Sequence, residues 1–167
     1  YAANRAGQFD IAEKLFMDIL MHDSNNIEAR KGIALCYLKQ QNNKAAIDHL
    51  KAYAALSPRN TKYAILLADA LQTESRLADA VSVCLHCLEL INDKNVHNKL
   101  LKCLLALPPD HQIEVLQLLI ASDRATADEY QQLAKLYFAG KNMKLAQAVV
   151  SGGISKYPES SKLLSLA

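Results

Sequence analysis

The stretch VSVCLHCLEL, residues 81–90, holds two cysteines three apart with a histidine between them. Cys84 and Cys87 have the spacing of half a structural zinc site, or of a dithiol that cycles between thiol and disulfide. Zinc would need a second ligand pair, and Cys36 and Cys103 each stand alone. A redox dithiol of the strand-then-helix type would need a strand ahead of Cys84, and none reads there. Instead Ala80, Val83, Cys84, Cys87 and Leu88 form one helical stripe, with His86 turned away from it. An unpaired cysteine on such a stripe acts as a small hydrophobe. The expectation is therefore no metal and no cofactor. Unpaired core cysteines favour a reducing compartment, which points to the cytoplasm.

Other chemistry is equally sparse. The five histidines, at positions 22, 49, 86, 97 and 111, are scattered over different segments. There is no G-x-S-x-G and no phosphate-binding loop. Gly152 and Gly153 sit inside a helical pattern, where they soften a helix and make no ligand loop. No catalytic residue is assigned, and the chain reads as a non-enzyme. Its 167 residues suffice for one domain with a continuous core, and 51% hydrophobic content argues against disorder. A net charge of +2, with both signs mixed, leaves no footprint for nucleic acid. No apolar run approaches the roughly 18 residues of a membrane span, since YAILLADAL is cut by Asp69.

The elements that would position any function repeat. Ala12, Ala46 and Ala80 are spaced 34 residues apart, each followed four residues on by Phe16, Leu50 or Cys84. Ala146, followed by Val150, lies 66 residues beyond Ala80, two residues short of two periods. Pro58 and Pro158 show the same shortfall. Between these markers the period is helical: Ala29, Ile33, Ala34 and Tyr37 share one face, as do Ala46, Ile47, Leu50, Tyr53 and Ala54. Polar QQNNK and SPRNT separate the helices. Thr126 with Glu129 forms a capping box that opens a later helix.

The unit is a pair of antiparallel helices, and here the chain resembles the tetratricopeptide repeat (TPR) family, whose pattern is W-x2-L-G-x2-Y, A-x3-F, P. Residues 27–60 match through Ile33, Ala34, Tyr37, Ala46, Leu50 and Pro58. Residues 61–94 match through Leu67, Ala68, Leu71, Ala80 and Cys84, with Asn92 where Pro is usual. Residues 127–160 match through Tyr130, Leu133, Ala134, Tyr137, Ala146, Val150 and Pro158. Residues 1–26 carry part of a repeat through Gly7, Phe9, Ala12 and Phe16. Residues 95–126 depart from the pattern, with Lys102 and Glu114 at small-residue positions; helices are expected near 95–106 and 110–122 in a shifted register. Residues 161–167 open another helix. The resemblance implies one all-α solenoid over residues 1–167, a right-handed superhelix of about four and a half repeats. A chain that opens at Tyr1 and closes inside a repeat is expected to be part of a longer one.

The resemblance further implies that first helices line a concave groove, where a partner segment would lie. The faces left over after core packing carry Glu28, Lys31, Leu35, Leu38 and Lys39, then Lys62, Ile65, Asp69, Gln72 and Thr73. Continuing the spacing adds Val96, Lys99, Cys103 and Ala106, then Asp128, Gln131, Lys135 and Phe138. Leu35, Leu38 and Ile65 would form an apolar patch beside a line of Lys31, Lys62, Lys99 and Lys135, suited to a peptide with acidic flanks. Family members that clamp a C-terminal carboxylate use Asn at one first-helix position. Here that position holds Leu35, Asp69, Cys103 and Lys135, which disfavours such a ligand. The expected function is a protein–protein interaction scaffold with a protein or peptide partner, no nucleic acid, no membrane insertion, and homodimerisation through terminal hairpins. The alternatives are a TPR chaperone or assembly factor of a bacterial secretion system, or the accessory region of a larger enzyme.

Overall fold

The protein is described by a computed structural model covering residues 2–167, with side chains from Gln8 onward. Gly7, part of the first repeat match, lies outside the residues whose side chains are described. Every regular element among the described residues is a helix: α1 (Ala2–His22), α2 (Ile27–Lys39), α3 (Asn43–Leu56), α4 (Thr61–Thr73), α5 (Leu77–Leu90), α6 (Lys94–Leu104), α7 (Pro109–Ala121), α8 (Ala127–Ala139), α9 (Met143–Lys156) and α10 (Ser161–Leu164). The two helices expected in the irregular repeat are α6 and α7.

Three hairpins, α2–α3, α4–α5 and α8–α9, close by one recurring device. Gln41, Ser75 and Lys141 take left-handed φ values of 60°, 59° and 57°. This lets the N–H of the next residue reach back to a carbonyl of the preceding helix: Asn42 to Tyr37 at 2.9 Å, Arg76 to Leu71 at 2.8 Å, Asn142 to Tyr137 at 2.8 Å. Such bonds satisfy carbonyls that a helix end leaves orphaned. Asn42 and Asn142 then cap the following helices, accepting from the Ala45 and Leu145 N–H groups. Glu129 accepts from the Thr126 N–H at 2.6 Å, which is the expected capping box at the start of α8.

Two compact units result, Tyr1–Cys103 and Leu104–Ala167. The single domain expected from the repeat pattern thus meets a division that falls within the irregular repeat, 95–126. In unit 1, Ala29, Ile33 and Ala34 of α2 are buried with Ala46, Ile47, Leu50 and Tyr53 of α3, and with Leu67, Ala68 and Leu71 of α4. Tyr37 donates its hydroxyl to Glu13 at 2.5 Å, tying α2 to α1. That bond, with burial, pushes the Tyr37 phenol up to about 12.

The first helices open at Ile27, Thr61, Lys94, Ala127 and Ser161, giving steps of 34, 33, 33 and 34. The two-residue shortfall is therefore split into two single deletions. One is local: Ile91–Asp93 joins α5 to α6 with three residues, where Ser57–Asn60 and Tyr157–Ser160 use four. Asp93 takes over the capping, accepting from the N–H groups of Asn95 at 2.8 Å and Val96 at 3.2 Å.

In unit 2, α9 passes close to α8 and α10 at Gly153. A Cβ there would stand 3.0 Å from Leu163 and 3.1 Å from Tyr130, whereas one on Gly152 would meet nothing nearer than 3.9 Å. We expect Gly152→Ala to raise stability by up to about 1 kcal/mol through helix propensity. Gly153→Ala, crowded on two sides, will show no such gain. Urea unfolding of the two variants measures the difference.

Candidate partner-binding face

In unit 1 the leftover faces of α2 and α4 stand side by side. Lys39, Lys62 and Asp69 are exposed, while Lys31, Leu35, Leu38, Ile65 and Gln72 are half-buried. Lys31 donates to Glu28 at 2.9 Å, and that bond raises its amine above the ordinary range. Burial pushes the Tyr63 phenol of α4 upward while the Lys31 charge pulls it back, so the two helices feel each other's groups.

The assignment on α6 needs correcting. Val96 and Cys103 are fully buried and Lys99 is only 7% exposed, so none of the three is open to a partner. The buried set of α6, Val96, Leu100, Cys103 and Leu104, repeats Tyr63, Leu67, Ala70 and Leu71 of α4 at a spacing of 33. A 34-residue projection lands one residue late, and one residue rotates a helical face by about 100°. The residues that α6 does expose at the projected level are Asn95, Asn98 and Lys102. The short connection and the recurrence of leucine at 67, 71, 100 and 104 were the signals in the sequence. The carboxylate-clamp position on α6 becomes Lys102, which is still not Asn.

Lys99 is not a groove cation. Its ammonium donates to Asp69 Oδ1 and Gln72 Oε1, each at 2.5 Å. A buried ammonium needs such partners, because charge leaves water at a cost of several kcal/mol. Asp69 keeps 55% of its side chain exposed. The contact also joins α6 to α4.

All four cysteines are free and buried. Burial, with Cys103 nearby, pushes the Cys84 thiol up to about 12, and burial raises Cys36, Cys87 and Cys103 as well. Thiols held in that form are poor nucleophiles and poor metal ligands. Among the described residues no group of three or more His, Cys, Asp or Glu is placed to hold a metal. His97 is buried, with Nε2 2.7 Å from Asn92 Oδ1.

In unit 2, α10 occupies part of the face expected on α8. Lys162 pairs with Asp128 at 2.5 Å, and Gln131 donates to the Lys162 carbonyl at 3.4 Å. Lys135 remains exposed and Phe138 half-buried.

An open apolar surface lies on α1. Ala12, Phe16 and Ile19 correspond by the repeat to Ala46, Leu50 and Tyr53, which are buried, yet Ile19 is exposed and Leu15 is 60% exposed. With Asp18 and His22 they line a cavity of about 550 Å³. The expectation of homodimerisation through terminal hairpins did not name these residues.

This alternation of short antiparallel helices, with recurring turns and a recurring buried stripe, is matched by known proteins. Residues 3–70 match the family model described as tetratricopeptide repeat. Over those residues the chain is similar to tetratricopeptide repeats. Among solved structures, the MamA protein is 20% identical with a TM-score of 0.57, covering 93% of this chain and 86% of that one. YrrB, described as a TPR protein with an unusual peptide-binding site, is 18% identical with a TM-score of 0.55, covering 95% and 83%. A TPR protein from Parabacteroides merdae is 18% identical with a TM-score of 0.52, covering 98% and 64%. Identities this low speak for the TPR fold alone. No curated protein matches the sequence. Among the described residues, no helix is long and apolar enough to cross a membrane.

The Lys99–Asp69 contact between first helices generates an asymmetric expectation. Asp69→Ala strands a buried ammonium on Gln72 alone and will cost about 2 kcal/mol. Lys99→Met removes the buried charge and leaves an aspartate that water already reaches, so it will cost less than about 1 kcal/mol. Equal losses in denaturant titrations would show that the pair contributes as a symmetric ion pair, against this reading.

Proposed function

We propose that this chain is a non-catalytic scaffold that binds a segment of another protein across the first-helix face of unit 1. The observation that carries the reading is the half-open trio of Leu35, Leu38 and Ile65, set among lysines on a face that core packing does not use. Apolar side chains that stay partly wet in the free protein gain by being covered, and partial burial holds them in place for a partner. That YrrB, of the same fold, is described as having a peptide-binding site indicates that the architecture accommodates such use. The buried, free cysteines support a reducing, cytoplasmic setting. Affinity capture from a lysate of the source organism, with wild-type bait beside Leu35→Glu/Ile65→Glu bait, is expected to yield a partner lost only from the variant. The same proteins on both baits would move the binding surface elsewhere.

A second reading rests on α1. Its open Leu15 and Ile19, with half-buried Phe16 beside them, support self-association at that end of unit 1. Sedimentation equilibrium should show a mass that rises with concentration for the wild type and stays monomeric for Leu15→Lys/Ile19→Lys. A monomer at every concentration would remove this reading.

A further inference from the structure

The proposed face of unit 1 sorts its own charges, and the remainder indicates what kind of segment it takes. It carries two carboxylates, and both are engaged: Glu28 by Lys31 and Asp69 by the buried Lys99. Three lysines on it, Lys39, Lys62 and Lys102, are exposed and make no ion pair among the described residues. This set differs from the expected line of Lys31, Lys62, Lys99 and Lys135: Lys31 is paired with Glu28, the one-residue step in α6 turns Lys99 inward and Lys102 outward, and Lys135 belongs to unit 2.

Their levels along the helices are informative. Lys62 stands in the first turn of α4, Lys102 in the last turn of α6, and Lys39 at the end of α2. By the repeat, Lys102 is level with Asp69 and Lys39 with Thr73. Along the helix direction, at 1.5 Å per residue, Lys62 therefore lies roughly 10 Å from Lys102 and roughly 16 Å from Lys39. Ile65 lies between Lys62 and the other two, Leu35 is level with Lys102, and Leu38 lies between the levels of Lys102 and Lys39. In an extended strand of about 3.3 Å per residue, that separation corresponds to about three to five residues.

Resting on the scaffold reading above, we propose that the segment received by unit 1 is acidic and apolar: two carboxylates about three to five residues apart, facing Lys62 at one end and Lys102 or Lys39 at the other, with apolar side chains beside them on Ile65, Leu35 and Leu38. Unopposed cations around an apolar centre favour such a segment twice. They attract it from a distance, and they penalise a basic segment that would bring like charge to the rim. Nucleic acid, the other common polyanion, would want stacking side chains beside the cations; at the centre of this face stand leucine and isoleucine.

The test is panning of a random dodecapeptide phage library on the wild-type chain, on Leu35→Glu/Ile65→Glu, and on Lys39→Glu/Lys62→Glu/Lys102→Glu, with circular dichroism to confirm that each is folded. The three lysines are exposed, so their reversal leaves the core untouched. The expected result is a wild-type consensus with paired acidic residues at the stated spacing around apolar ones. It should be lost on the apolar variant and weakened about tenfold or more on the charge-reversed one, which in turn should select basic–apolar sequences. Peptides that depend on Leu35 and Ile65 but show no acidic excess, or that bind the charge-reversed chain equally well, would overturn this inference and leave the scaffold reading standing. Failure to enrich any peptide that depends on Leu35 and Ile65 would instead sink the scaffold reading. Binding of a single-stranded dodecathymidylate as tightly as the selected peptide would also overturn the proposal, by showing a general polyanion surface.

Discussion

Helical phase is the constraint on which the rest of this structure depends. Each residue advances a helix by about 100°, so a helix keeps its apolar stripe against its neighbours only if the connection before it has the right length or the stripe itself moves in sequence. Both adjustments occur together at α6. Ile91–Asp93 is one residue shorter than its counterparts, and the buried leucines move with it, to Leu100 and Leu104. Three intra-hairpin turns show the same constraint without adjustment: Gln41, Ser75 and Lys141 all take left-handed φ although none is glycine, because that geometry returns the chain in the required phase.

The charge pattern follows from the phase. Once α6 is rotated, Lys99 points inward, and a buried ammonium is tolerated only where oxygens surround it. Asp69 and Gln72 supply them. This use of Asp69 engages a carboxylate that would otherwise offset the lysines on the first-helix face of unit 1, and the outward turn of Lys102 adds a cation. The electrostatic character of the surface is thus a by-product of how the core is packed one layer below.

The cysteines illustrate how a chemical motif can be emptied by its setting. At Cys84 and Cys87 the spacing invites metal or redox chemistry, but the spacing of three is equally that of adjacent buried positions on a helix. Cys84 and Cys87 occupy the places that Leu50 and Tyr53 hold in α3, and burial keeps the thiols protonated. What such a chain offers is surface: half-open side chains on first helices, and on α1 an apolar row whose counterparts elsewhere are covered.

Several features were legible in the sequence. The alternating helices, their boundaries within a few residues, the buried stripes through Ala46, Leu50, Ala80 and Cys84, and the capping box at Thr126 all follow from local periodicity and capping chemistry, which depend on residues three or four apart. Positions on α2 and α4 that escape full burial were readable for the same reason, since those repeats keep the 34-residue step. The outward set on α6 was not read correctly, because period alone cannot say where within an irregular repeat a residue has been lost. Nor did the sequence reveal that Lys99 is capped by Asp69 across two helices, that α10 takes up Asp128 and Gln131, or that the chain divides between Cys103 and Leu104. Those are contacts between residues far apart in the chain. Periodicity says which side of a helix is buried, and only packing says which neighbour buries it and which charges meet there.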